Sequence, residues 1–172
     1  MNRLAAIVVF FAACGAGCGY HIGGHADLMP KTVKTIAIPA FTNATIRYKL
    51  ARLLPEDITR EFLSRTHYAV IADASQADAV LTGSLANFVA YGTTTDPVSG
   101  RATATKVTVT LNLKLTERST GKVLYSRNGA EFIDRYEIAL DPSQYFDESG
   151  TAMERISRNV AHSVVSGILE AF

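Results

Sequence analysis

The chain has 172 residues, a formal net charge of +1 and two cysteines, Cys14 and Cys18. A charge so near zero lacks the basic excess of a nucleic-acid binder, and the length fits one domain with a real core. With both cysteines near the start, the rest of the chain offers no disulfide framework and no thiolate zinc site.

Residues 1–20 carry the clearest signal. Arg3 is the only charged side chain before Asp27, and an apolar run of about ten residues, Leu4–Ala13, follows it. That run is about half of the ~20 residues a membrane-crossing helix needs. A basic start, a short apolar run and small residues make a secretory signal peptide. Gly15, Ala16 and Gly17 lead into Cys18 as in a lipobox, so Cys18 is the expected acylation site and first mature residue. Gly15 departs from the usual Leu, Val or Ile, and Cys14 competes with Phe11 in the same place. An ordinary cleaved signal or a small membrane anchor is the plainer alternative. Cleavage before Cys18 leaves 155 residues, with 18–31 read as a Gly- and His-rich tether and 32–172 as the domain.

Val33–Pro39 reads as a strand closed by Pro39. Between Arg47 and Arg65, Leu50, Leu54, Ile58 and Phe62 recur every four residues, with Leu53 and Leu63 widening the face, which marks an amphipathic helix. Pro55 inside a helix costs about 3 kcal/mol. The regular helix is therefore expected to start at Pro55, with Glu56 and Asp57 favoured by the dipole of its first turn; a kinked helix over the whole stretch is the alternative.

Tyr68–Ile71 is a short strand, Asp73–Asp78 a polar turn and Ala79–Ala90 a third strand. Thr93–Gly100 is rich in turn residues. Val107, Val109, Leu111, Leu113 and Leu115 then alternate with polar residues, so one face of that strand is buried and the other wet. Ser119–Lys122 reads as a hairpin turn before a last strand, Val123–Asp134. Asp141–Gly150 reads as a loop and Thr151–Phe172 as a helix with Met153, Ile156, Val160, Val164 and Ile168 on one face. This order predicts an α+β two-layer sandwich, two helices on one face of a mixed sheet of four to five strands.

The chain Cys18-Gly19-Tyr20-His21 is followed by Leu28-Met29-Pro30 and by Val33-Lys34-Thr35-Ile36-Ala37-Ile38-Pro39-Ala40-Phe41-Thr42-Asn43. Then come Glu61-Phe62-Leu63-Ser64-Arg65, Tyr68-Ala69-Val70-Ile71 and Ala77-Asp78-Ala79-Val80-Leu81-Thr82-Gly83. In order and spacing, from Cys18 to Phe172, this resembles the LptE-like family of outer-membrane lipopolysaccharide-assembly lipoproteins. The resemblance implies a two-layer sandwich and a non-enzymatic partner that plugs and helps assemble the LptD-like β-barrel exporting lipopolysaccharide. It also implies contact with lipopolysaccharide and a lipid anchor on the periplasmic side of the outer membrane; Gly19 in place of Asp fits outer-membrane delivery. A generic periplasm-facing lipoprotein, acting as assembly factor or pilot for another envelope complex, would show the same anchor and fold.

The remaining residues point to no catalysis. No Gly-x-Ser-x-Gly elbow and no phosphate-cradling glycine loop is present. Glu56/Asp57 and Asp147/Glu148 fall near expected helix starts. His21 and His25 flank two glycines, and His67 and His162 lack partners at ligand spacing, so no metal or cofactor is expected. Lipopolysaccharide requires cations for phosphate beside apolar surface for acyl chains. Arg101, Lys106 and Lys122 are the expected phosphate contacts, and Lys106 and Lys114 share the wet face of their strand. The alternative is that these are solvated strand charges that discourage edge pairing. The polar residues Thr103, Thr105, Thr108, Thr110, Asn112 and Thr116 would suit a polar barrel lumen.

Overall fold

A computed structural model describes residues 29–98, 100, 102–137 and 145–172. The lipobox and Cys18 lie outside the described residues, as do Arg101 and the first part of the expected 141–150 loop.

The elements run β1 (Thr35–Ala37), β2 (Thr42–Asn43), α1 (Tyr48–Arg65), β3 (Ala69–Ile71), β4 (Ala79–Thr95), β5 (Ala102–Glu117), β6 (Val123–Glu137) and α2 (Tyr145–Leu169). The sheet order is β3-β1-β4-β5-β6. The first three strands are parallel and β4, β5 and β6 form an antiparallel meander. β2 pairs with β4 at Ser84 and Leu85, beyond the place where β1 pairs with it at Ala79 and Val80. Pro39 lies in the gap between β1 and β2, where it has no N–H to donate to the ladder. The α+β sandwich is thus as expected, with β2 added to the sheet.

Alternation decides which face of the sheet is covered. Val107, Val109, Leu111, Leu113 and Leu115 form one core with Leu50, Leu54, Ile58 and Phe62 of α1 and Ile156, Val160, Val164 and Ile168 of α2. The two helices run in the same direction: Lys49 pairs with Glu154 at 3.0 Å, Glu61 with His162 at 2.7 Å, and Arg65 donates to Ser166 Oγ at 2.8 Å.

Burial corrects several sequence expectations. α1 starts at Tyr48 and passes through Pro55 without a break. Starting at Pro55 would release Leu50 and Leu54, both fully buried; at about 1.5–3 kcal/mol each, their burial outweighs the ~3 kcal/mol proline cost. Glu56 and Asp57 therefore sit mid-helix. Glu56 pairs with Arg52 at 2.9 Å, and the buried Asp57 with Arg60 at 2.7 Å. Leu63 is 56% exposed and widens no core face. Residues 145–150, expected in a loop, form the start of α2. Thr105, expected on the wet face, is buried, because it shares the parity of Val107 and Val109. Met29, in the stretch read as a tether, is 3% exposed and belongs to the core.

Candidate ligand-binding face

The long strands β4, β5 and β6 leave their other face uncovered by helices. The register sets its chemistry in rows. Tyr91 of β4 lies opposite Lys106 of β5, which lies opposite Arg135 of β6; the next row is Val89, Thr108 and Ile133. Val89 is 43% exposed and Ile133 61%. Lys106 Nζ stands 5.9 Å from the centroid of the Tyr91 ring, and an Arg135 guanidinium nitrogen donates to Thr94 Oγ1 at 2.9 Å.

Two cations directly opposite each other on neighbouring strands repel, at a cost of about 0.2–1 kcal/mol. Neither Lys106 nor Arg135 makes an ion pair among the described residues. The arrangement has the charge to receive an anion, and Val89 and Ile133 supply apolar surface one row away. Bidentate guanidinium–phosphate contact is the strongest form of such recognition.

Of the cations singled out in the sequence, Lys106 lies at the centre of this row. Lys114 shares its face, as the parity requires, beside a hollow of about 280 Å³ lined by Thr42, Thr82, Ser84, Asn112 and Asn128. Lys122 lies beyond the far end of β5. Lys106 to Glu117 is a run of about 36 Å at ~3.3 Å per residue, so Lys106 and Lys122 do not meet in one phosphate site. Arg135 was missed. The register shifts after Leu111 and Leu115 move the partner of Lys106 from Ile133 to Arg135, and two bulges in β6 leave no signal in the hydrophobic pattern.

The stretches that carry the family resemblance are structural. The Asp78 carboxylate accepts from the backbone N–H of Lys34 at 2.9 Å, that of Thr35 at 3.0 Å and the Thr35 hydroxyl at 3.0 Å. These bonds hold its pKa below the usual carboxylate value, with nearby Arg118 adding to the effect. Asn43 Oδ1 accepts from the Thr45 N–H and hydroxyl, both at 2.9 Å, closing the turn before α1. His67 is exposed and His162 is held by Glu61. Among the described residues no group of three His, Cys, Asp or Glu side chains is placed to hold a metal. No described helix is long and apolar enough to cross a membrane.

Solved structures share this fold at low identity. Lipoprotein B from Nitrosomonas europaea is 13% identical with a TM-score of 0.55, over 86% of this chain and 88% of that one. A Xanthomonas campestris protein is 15% identical with a TM-score of 0.55, over 84% and 89%. Rare lipoprotein B from Shewanella oneidensis is 12% identical with a TM-score of 0.51, over 79% and 94%. No curated protein matches the chain. The family model described as LptE, lipopolysaccharide-assembly, matches residues 33–168. Together with the sandwich and the motif order, that match over most of the chain places the protein in the LptE lipopolysaccharide-assembly family.

Proposed function

We propose that the protein is a lipoprotein acylated at Cys18 that acts from the periplasmic side of the outer membrane, plugging the LptD-like export barrel and contacting lipopolysaccharide as it passes. It makes and breaks no bond. Its work is to form a stable complex and to offer a transient surface to the ligand. The observation that carries the ligand part is the Lys106–Arg135 pair beside exposed Val89 and Ile133. Phosphate relieves the repulsion of the two cations, and acyl chains cover the apolar row. The polar middle of the same face, with Thr82, Ser84, Asn112 and Asn128, suits sugar hydroxyls or the polar lumen of a large barrel. Arg101, one residue before β5, belongs to the same proposal; Lys122 does not.

Affinity purification from detergent-solubilised outer membrane tests both parts. The export barrel is expected to co-purify with the wild-type chain, and its absence would overturn the plug. Lipopolysaccharide in the eluate is expected to fall in the Lys106→Glu/Arg135→Glu variant while barrel recovery holds; unchanged lipopolysaccharide removes the site. Labelling by a palmitate analogue is expected to vanish in Cys18→Ala, and labelling that persists moves the anchor to Cys14.

A further inference from the structure

A second hollow, of about 400 Å³, lies where the chain enters the fold, at the start of the parallel strands. Met29, Val33 and Tyr68 supply apolar surface, and exposed Lys31, Lys34 and His67 stand at its margin. The entry is fixed in place. Met29 is buried, the Val33 N–H donates to Pro30 O at 2.8 Å, and Thr32 Oγ1 donates to Glu117 Oε1 at 2.7 Å.

The margin keeps its charge to itself. Neither lysine nor His67 takes part in an ion pair among the described residues. The two carboxylates nearby are occupied with other donors. Asp78 accepts from the backbone of Lys34 and from Thr35, and Glu117 from the hydroxyls of Thr32 and Thr120. Two ammonium groups and an imidazole around an apolar floor fit an anion continued by an apolar body. A soluble phosphate would leave Met29, Val33 and Tyr68 unused, whereas a phospholipid covers them with its glycerol and first methylenes.

We propose that this hollow takes the headgroup of an anionic phospholipid and seats the domain on the bilayer surface. The identity of the bilayer rests on the lipoprotein reading. Ten residues separate Cys18 from Met29, and at ~3.5 Å each they span at most about 38 Å, so an acylated Cys18 keeps the hollow within reach of its own membrane. The contact would fix which end of the sandwich faces the lipid, and would add a charge-dependent attachment to the acyl one.

The test uses the chain from residue 18 with Cys18→Ser, so that no acyl group contributes and the proposal can fail without the anchor failing. Its co-sedimentation is compared on phosphatidylcholine vesicles and on the same vesicles doped with phosphatidylglycerol. Stronger binding to the doped vesicles is expected, with a loss of about fivefold for each lysine changed in Lys31→Glu and Lys34→Glu. The Arg52→Glu and Arg158→Glu variants, with the same charge change at exposed helix positions outside both sites, are expected to keep the preference. Equal binding to both vesicles would overturn the proposal, as would a control that loses as much as the lysine variants. Full inhibition by millimolar glycerol phosphate would also overturn it, because the hollow would then read a free phosphate.

Discussion

At the scale of single residues, Gly83 shows why the family stretches are spelled as they are. The Phe41 ring lies against it, so a Cβ at Gly83 would fall 2.5 and 2.6 Å from the two Cε atoms and nearer still to Cζ. Phe41 itself is buried. The aromatic residue of one stretch therefore fills the space that the glycine of another leaves empty, and locks β2 and the turn before α1 onto β4. Gly83→Ala is expected to force the ring out of its place and to cost about 1–3 kcal/mol as overpacking does. Chemical denaturation measures this as a fall in midpoint. Adding Phe41→Leu is expected to return part of the loss, since residues in contact couple in a double-mutant cycle. Purely additive losses would mean that the two side chains do not press on each other.

At the scale of elements, the cross-strand pair Lys106–Arg135 sets binding against stability. Lys106→Glu turns a like-charge pair into an opposite one, and is expected to stabilise the β5–β6 pairing by about 0.2–1 kcal/mol while removing the anion site. A higher thermal midpoint together with lower lipopolysaccharide recovery is the expected result; a lower midpoint would mean that the lost Lys106–Tyr91 contact outweighs the relieved repulsion. Periodicity made the elements themselves legible. The four-residue recurrence of Leu50, Leu54, Ile58 and Phe62 and the alternation from Val107 to Leu115 both mark residues that are buried. Pro55 misled because a local penalty was weighed without the tertiary burial that overrides it. Half of the cationic row was legible as well, since Lys106 stands on the polar parity of a well-marked strand. Arg135 was not, because its position opposite Lys106 depends on two bulges in β6 whose shifts add to two residues, which keeps the parity and so leaves no mark in the hydrophobic pattern. Thr105, by contrast, was legible as buried, since it stands on the same parity as Val107 and Val109.

At the scale of the whole molecule, two carboxylates hold the end where the chain enters the sheet, and they make its stability depend on pH. Asp78 is held below the usual carboxylate value chiefly by the Lys34 N–H, then by the Thr35 N–H and hydroxyl. Glu117 is held low first by the Thr120 hydroxyl, then by the Thr32 hydroxyl, with Lys122 nearby adding to it. Asp73, bonded to Ser75, and Glu154, bonded to Lys49, are shifted in the same direction. A group whose folded pKa is depressed binds fewer protons folded than unfolded, so stability rises with pH in its titration range. The contribution is therefore fully present above the unfolded value, about 4 for these side chains, and is lost as pH falls through the folded one. Urea midpoints are expected to be level from neutral pH down to about 5 and to drop below about 4. Asp78→Asn is expected to lower the midpoint at neutral pH, because an amide oxygen accepts the Lys34 and Thr35 N–H groups without a charge to strengthen the bonds. It is also expected to flatten the acid limb, since one of the depressed groups has been removed. A variant with the wild-type slope below pH 4 would show that Asp78 contributes nothing to the acid sensitivity, and that the β1–β4 backbone ladder holds this end without it.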